Sequence, residues 1–290
     1  MRMLSAVRAT ILGGLVVGLP VLLFPEGAHA SDGTFDKTLN VSGNVELNVA
    51  TGSGYVHVTP GSDNQVHIIG HVHSNHGWLG SSDDAVQRVV SSPPIQQNGN
   101  TIRIGQMHEA WYNHVSIDYD ISTPKSTRLK AESGSGDLKA VSMAAGSRLE
   151  TGSGSINGDD LGGETYLQTG SGDIRVNFSS GGNVTAGAGS GSIRLTGLKG
   201  GLKAETGSGD VSIAGQPVDP WKIEAGSGSI DLNLGGSKYT LDAETGSGSI
   251  HTDQPITVQG GLEKHHITGN VNGGGPTVKV ETGSGSIRIH

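Results

Sequence analysis

Four histidines lie within ten residues of one another and could bind a transition metal: His67, His71, His73 and His76. On a strand His71 and His73 point to the same side, and the acids at 83–84 could complete a zinc or copper site. The alternative is a polar outer strand face, which we expect because no closed ligand set of known spacing is present. We therefore predict no metal and no cofactor, with His71, His73 and His76 as the candidate ligands if a metal is bound.

A second group of polar residues lies in the segment 252–275, where the repeats described below are interrupted. Its members are Asp253, Glu263, Lys264, His265 and His266. Enzymes that cleave polysaccharides can carry such residues in a local break of a β-helix. However, the two adjacent histidines would point to opposite faces of a strand. The chain also lacks a nucleophile elbow, a phosphate-binding loop and a His-Glu-x-x-His motif. We predict a non-enzymatic protein, with a polysaccharide-active enzyme as the alternative.

The elements that position these residues follow from a repeated phrase, Gly-Ser-Gly followed by Ser or Asp (Tyr55 in the first copy) and an aliphatic residue. It occurs nine times, and its first glycine is Gly52, Gly134, Gly152, Gly170, Gly189, Gly207, Gly226, Gly246 or Gly283. From Gly134 to Gly246 the steps are 18, 18, 19, 18, 19 and 20 residues. A near-constant period of this size indicates stacked repeats, none of which can bury its apolar face alone.

The residues flanking each first glycine predict two short strands joined by a corner. Counting that glycine as zero, position +4 is always aliphatic, position +6 mostly is, and positions −3 and −5 usually are. Spacing by two means that each strand has one inward face, and glycines permit the tight bend and close stacking of backbones. We predict an all-β fold, a single-chain parallel β-solenoid (β-helix) with coils of 18–20 residues.

Outward positions also form rows, and the main one is acidic. Position −2 is Glu in six copies, while position −4 is often Lys or Arg. Stacked like charges repel, so we expect a solvated ladder of Glu–Lys pairs rather than a cation-binding row of carboxylates. A calcium-binding solenoid is excluded because Asp follows the second glycine only at Asp137, Asp173 and Asp210.

The chain divides into three parts. Residues 1–30 read as a secretory signal peptide, with Arg2 and Arg8, an apolar run and a small-x-small cleavage site. Residues 31–128 form a leading coil and an irregular cap with one short helix at 82–90, which begins after a Ser cap and ends before Pro93. Residues 129–290 form the regular repeats.

Composition limits the partners. The net charge of −8 disfavours nucleic acid and anionic lipid. The absence of cysteine excludes disulfides and thiol catalysis. No segment after the signal peptide is apolar enough to span a membrane. The chain ends on a strand at 286–290, and an open strand edge invites pairing, so we expect self-association through an uncapped C-terminal coil.

The repeats resemble a bacterial family of "putative adhesin" domains of unknown function, which carry Gly-Ser-Gly-[Ser/Asp]-[Ile/Val] repeats of about this period. The segments 94–104 and 120–125, which precede the repeats, are similar as well. The resemblance implies a β-solenoid in an exported or envelope-associated protein and supplies no catalytic residues. We therefore expect a secreted, periplasmic or cell-envelope protein that acts in surface adhesion, envelope structure or binding of a protein or glycan. A metal-binding envelope protein using the segment 67–76 is a further alternative.

Overall fold

The computed structural model describes residues 32–74, 82–105, 115–258 and 264–290. The predicted signal peptide, His76 and Glu263 lie outside these residues. The described chain is an all-β fold with one helix, α1 (Ser82–Ser91), at the predicted place. The strands are β1 (Asp32–Asn40), β2 (Glu46–Thr51), β3 (Val56–Pro60), β4 (Gln65–Ser74), β5 (Ile95–Asn98), β6 (Thr101–Ile104), β7 (Val115–Thr123), β8 (Arg128–Ser133), β9 (Leu138–Val141), β10 (Ser147–Thr151), β11 (Ile156–Leu161), β12 (Thr165–Thr169), β13 (Ile174–Phe178), β14 (Val184–Ala188), β15 (Ile193–Ser208), β16 (Val211–Ser227), β17 (Ile230–Asn233), β18 (Tyr239–Ser247), β19 (Ile250–Thr252), β20 (Ile256–Val258), β21 (His266–Val271), β22 (Thr277–Ser284) and β23 (Ile287–Ile289).

Each Gly-Ser-Gly corner joins two strand segments that belong to two different stacks. The long strands β15 and β16 each contribute a segment to both stacks. Strands before the corner pair in parallel in the order β2, β8, β10, β12, β14, β15, β16, β22 and β18. Strands after the corner pair in parallel in the order β3, β9, β11, β13, β15, β16, β17, β23 and β19. We call these the pre-corner and post-corner stacks, and we name each coil after its first corner glycine.

The predicted alternation of inward and outward residues is present in both stacks. Leu138, Ile156, Ile174 and Ile193, at position +4 of successive coils, are fully buried and stand above one another in register. The intervening residues face solvent. Because apolar residues of successive coils stack on one another, the interior is a continuous apolar core. The outward side chains stack in the same way and form rows at fixed positions.

The corner glycines are required because successive corners touch. A Cβ on Gly152 would lie 2.4 Å from the carbonyl oxygen of Gly134, and one on Gly170 would lie 2.3 Å from that of Gly152. None of the nine first glycines of the corners has a positive φ, whereas four of the second glycines, Gly209, Gly228, Gly248 and Gly285, have φ between 156° and 159°. The first glycines therefore serve close backbone approach, not a left-handed conformation.

In most coils a buried hydroxyl before the corner fastens it to the neighbouring coil, whereas the Gly189 and Gly226 coils have Ala188 and Ala225 at this position. The Oγ1 of Thr169 donates a hydrogen bond to the carbonyl of Gly154 (2.8 Å) and accepts one from the backbone N–H of Gly172 (3.0 Å). The hydroxyls of Thr151, Thr206, Thr245 and Thr282 donate equivalent bonds of 2.8–2.9 Å. In these coils the side chain of the residue before the corner therefore links two neighbouring coils.

The order of coils in the stack differs from their order in the chain. The Gly283 coil lies between the Gly226 and Gly246 coils, because β22 pairs with both β16 and β18, and β23 pairs with both β17 and β19. The prediction of an uncapped C-terminal coil is wrong, since this coil has a paired neighbour on each side. The segment 265–271, in the interruption of the repeats, is not a further coil of the stack, because β21 runs antiparallel along β18.

His290 links the inserted coil to both of its neighbours. Its Nδ1 lies 2.7 Å from Oδ2 of Asp253, which follows β19, and its Nε2 lies 3.3 Å from Oδ2 of Asp231 on β17. The Asp253 carboxylate, followed by that of Asp231, raises the pKa of His290 above its ordinary value. The protonated imidazole therefore joins three coils electrostatically.

The segment between the first two coils covers the N-terminal end of the stacks. The Gly52 coil stacks directly on the Gly134 coil, while β6 pairs with β2 and β7 pairs with β3. Beyond β7, β4 and then β1 pair antiparallel. The helix packs on β1, since a Cβ on Gly33 would lie 2.6 Å from Val90 Cγ2.

The sheet is mixed rather than wholly parallel as predicted. Within the described residues the antiparallel pairs are β1–β4, β4–β7, β5–β6, β18–β21 and β20–β21, all at the two ends of the stacks. Strands of successive coils run in the same direction and therefore pair in parallel. The segments at the two ends double back, and this produces the antiparallel pairs. In the same described part of the chain, no helix has the length and apolarity needed to cross a membrane.

We predict that Gly170→Ala destabilises the protein by about 3 kcal/mol, because the new methyl group would overlap the Gly152 carbonyl. Gly52→Ala is the matched control, since nothing lies within 4 Å of a Cβ at that corner. It should change stability by less than about 0.5 kcal/mol. Urea unfolding of both variants checks this, and equal losses would contradict the role assigned to backbone contact.

We predict that Thr169→Val costs about 1–3 kcal/mol, because the shape is kept while a buried carbonyl and a buried N–H lose their partner. Thr185→Val is the control: Thr185 lies on the outward face of β14 and is half-buried. The measurement is the thermal midpoint together with the urea midpoint. A neutral Thr169→Val would show that the hydroxyl is not needed.

We predict that Asp253→Asn destabilises the protein more at about pH 6 than at about pH 9. The pKa of His290 is raised from 6.5 in the folded state, so its stabilising charge is fully present below that value and is lost as the pH rises through the folded pKa. Asp219→Asn, a change at an exposed carboxylate, serves as the control. A deficit independent of pH would exclude the electrostatic link.

Candidate binding surfaces

The pre-corner outer face carries the predicted ladder of Glu–Lys pairs. Each basic residue pairs with the Glu two positions later in its own coil. The pairs are Lys130–Glu132 (2.6 Å), Arg148–Glu150, Lys203–Glu205 (2.9 Å), Lys222–Glu224 (2.8 Å) and Lys279–Glu281 (2.7 Å). A hydrogen bond from Lys203 lowers the pKa of Glu205, and the same bond raises the pKa of Lys203. The charges of this face are therefore largely compensated within it.

The ladder is interrupted in the middle of the stack. Tyr166 and Gln168 occupy its two positions in one coil, and Thr185 and Gly187 do so in the next. The Arg148 guanidinium, which also pairs with Glu150, lies 4.0 Å from the Tyr166 ring centroid, a cation–π contact between neighbouring coils.

The three corner aspartates have a structural role. The Oδ1 atoms of Asp137, Asp173 and Asp210 accept hydrogen bonds of 2.7–2.9 Å from the backbone N–H of Ser155, Ser192 and Ser229, each in the next coil. The bond from Ser192 is the main cause of the lowered pKa of Asp173. These carboxylates thus connect consecutive coils.

The predicted histidine face exists on β4, but its imidazoles face separate carboxylates. His67 lies 2.8 Å from Asp36, and His71 lies 3.4 Å from Asp120. His73 lies between Asp32 (3.0 Å) and Asp118 (3.2 Å). No group of three or more metal-ligating side chains suited to holding an ion is found in the described ranges, which exclude His76.

Tyr55 joins this histidine face to the post-corner stack. Its hydroxyl donates a hydrogen bond to Asp120 Oδ2 (2.9 Å), and its ring stacks on His57 with centroids 4.2 Å apart. Burial, together with the Asp120 carboxylate, raises the pKa of Tyr55 to about 12. The tyrosine is therefore a hydrogen-bond donor at all physiological pH values.

The polar residues of the segment 252–275 are divided between separate interactions. Asp253 lies 3.0 Å from His251 and 2.7 Å from His290, whereas His266 lies 2.8 Å from Asp242 on β18. The Nδ1 of His265 is buried without a hydrogen-bond partner in the described part of the chain. Of the residues that the sequence grouped as candidates for catalysis, Asp253 and His266 are thus paired with residues outside that group.

The post-corner outer face carries a basic row that sequence reasoning missed. Lys139, Asn157, Arg175 and Arg194 occupy position +5 of successive coils on β9, β11, β13 and β15, and they are register partners. Arg175 pairs with Asp173 (2.7 Å), whereas Lys139 and Arg194 form no ion pair with any described residue. Reading position +5 down the nine copies, as was done for position −2, could have revealed this row.

A shallow groove of about 300 Å³ lies beside these cations. It is lined by Lys139, Asn157, Gly158, Asp159, Arg175, Val176, Asn177, Arg194 and Thr196. Position +7 supplies a polar chain along one side: Thr196 donates a hydrogen bond to Asn177 (3.0 Å), which in turn donates to Asp159 (3.2 Å). The groove therefore combines cations with neutral hydrogen-bonding groups.

Comparison with solved structures finds proteins of similar length but low identity. A "putative cell adhesion protein" from Clostridium sporogenes is 15% identical, with 89% of this chain and 99% of that chain covered and a TM-score of 0.24. A "putative adhesin" from Bacteroides fragilis is 13% identical, with 89% and 97% covered and a TM-score of 0.38. Another from Parabacteroides merdae is 11% identical, with 89% and 96% covered and a TM-score of 0.27. These values do not transfer a ligand or partner.

No curated protein matches the sequence. A protein-family model does match, and it extends over residues 46–290, from the second strand to the end of the chain. The chain therefore belongs to the Toastrack DUF4097 family.

Proposed function

We propose that this chain is an exported, non-enzymatic β-solenoid protein that acts in surface adhesion, envelope structure or partner binding. The observation that carries the proposal is the regular presentation of outer side chains, one of each row per coil. A rigid row of this kind suits an extended or repeating partner, because each coil offers a contact at nearly the same spacing.

The chemistry of the repeats supports binding over catalysis. A catalytic site brings a nucleophile, a base and a stabilising donor together at one unique place. Here the corner threonines and aspartates are engaged in hydrogen bonds between coils. The polysaccharide-active alternative depends on the segment 252–275, in which Asp253 and His266 pair with residues outside the candidate group.

Export rests on the N-terminal sequence. Residues 1–30 combine a basic start, an apolar run and a small-x-small site, as signal peptides do. The absence of cysteine suits an exported protein that is stabilised by stacked strands rather than by disulfides. The coil contacts and corner hydrogen bonds described above supply that stability.

We predict selective binding of the purified protein to a subset of glycans on an array, at equal strength with and without EDTA, because the exposed cations are Lys and Arg side chains. Gly170→Ala protein unfolded in urea is the negative control. Loss of binding in EDTA would indicate a metal site instead. Binding to no glycan would overturn the adhesion proposal, and release of shortened sugars would support an enzyme.

A further inference from the structure

We propose that the groove on the post-corner face, lined by β9, β11, β13 and β15, binds a carboxylate-bearing polysaccharide. This inference rests on the proposed function, since it names the ligand class of the binding surface. It is carried by three features of the groove: uncompensated cations, their spacing along the stack, and a bulge that makes the surface concave.

The first feature is positive charge that the protein leaves uncompensated. On the pre-corner face, five Lys and Arg side chains each pair with a Glu. In the groove, Lys139 and Arg194 are exposed and form no ion pair with described residues, although the chain is acidic overall with a net charge of −8. Free basic groups on an acidic protein attract anions to one place. Guanidinium groups also match the two oxygens of a carboxylate.

The second feature is spacing. Parallel strands lie about 4.8 Å apart, so Arg175 and Arg194 on adjacent strands are about one strand spacing apart, and Lys139 and Arg175 are about 10 Å apart. Asn157 lies between the latter two. An extended sugar chain that runs along the stack and bears one carboxylate per unit would present its charges at comparable intervals.

The third feature is shape. Strand β11 contains a bulge between Gly158 and Leu161, which oppose Val176 and Phe178 of β13. Gly158 lies on the inward side of β11, where a Cβ would meet the fully buried Leu161 at 2.7 Å and Val176 at 3.0 Å, and both Gly158 and Val176 line the groove. Two residues at the bulge have a positive φ, Ser142 (54°) and Asp160 (56°). The Ser142 hydroxyl donates a hydrogen bond of 2.6 Å to the Asp160 carboxylate. Bulges of this kind redirect side chains next to functional sites.

The polar chain at position +7 favours a sugar over other anionic polymers. Asp159, Asn177 and Thr196 offer donors and acceptors suited to hydroxyl groups, whereas a nucleic acid would present one charge per about 1.7 Å of duplex axis to an acidic protein. A single strand would need aromatic platforms for its bases. None of the residues lining the groove is aromatic.

The test is a titration of the purified protein with oligogalacturonate, which has a carboxylate on every unit. The comparison ligands are a neutral maltooligosaccharide of equal length, inorganic polyphosphate and single-stranded DNA. The groove variant is Arg175→Gln with Arg194→Gln. The matched control is Lys203→Gln with Lys222→Gln, which removes the same charge from the pre-corner face. Equal urea midpoints establish that both variants are folded.

We expect oligogalacturonate to bind best, more weakly at high salt, and the groove variant to lose about tenfold or more in affinity while the control loses about twofold or less. Equal losses in the two variants would overturn the inference, as would equal binding of the neutral sugar or preference for polyphosphate or DNA. If the groove variant still bound the same glycans on the array, this inference would be overturned and the proposed function would stand. Absence of glycan binding in the unmodified protein would overturn the proposed function as well.

Discussion

Contact between the glycine corners of successive coils is the constraint on which the rest of the structure depends. Because each corner rests on the carbonyl oxygen of the one before it, as Gly170 does on Gly152, two coils can approach only in one register. The buried threonine hydroxyl and, in alternate coils, an aspartate oxygen then bond across the same gap. The register set at the corner continues along both strands. It therefore determines which residues form each outer row.

The two outer faces differ in how their charges are compensated. Before the corner, a basic residue and an acid two positions later lie side by side on one strand and pair within the coil. After the corner, in the four coils that line the groove, position +7 is Asp only beside Asn157, and Arg194 has Thr196 there. Lys139 and Arg194 therefore form no ion pair with described residues, whereas each of the five basic residues of the ladder does. This asymmetry comes from two residue positions per coil and not from any change in backbone.

The ends of the stacks are closed by segments that leave the repeat. At the N-terminal end, β6 and β7 pair with the first coil, and α1 packs beyond them. At the other end, the chain passes the Gly246 coil, turns back as β21 and inserts its last coil next to the Gly226 coil. The edge strands exposed there, β19 and β20, have only three residues each, which limits edge-to-edge pairing.

The secondary-structure elements could be predicted from the sequence, because they follow from local patterns. These patterns are the two-residue alternation, the corners, the helix at Ser82 and the Glu–Lys row. The order of the coils in the stack could not be predicted from the sequence. The Gly283 coil pairs with the Gly226 and Gly246 coils through the same repeated positions that every other pair of coils uses. Its placement follows β21, which turns the chain back along β18 before the last coil begins. The carboxylate partners of His71, His73 and His290 were equally hidden, since strands distant in sequence supply them. Only the tertiary structure decides such matters, because repeats that are alike in sequence leave the choice of neighbour to long-range pairing.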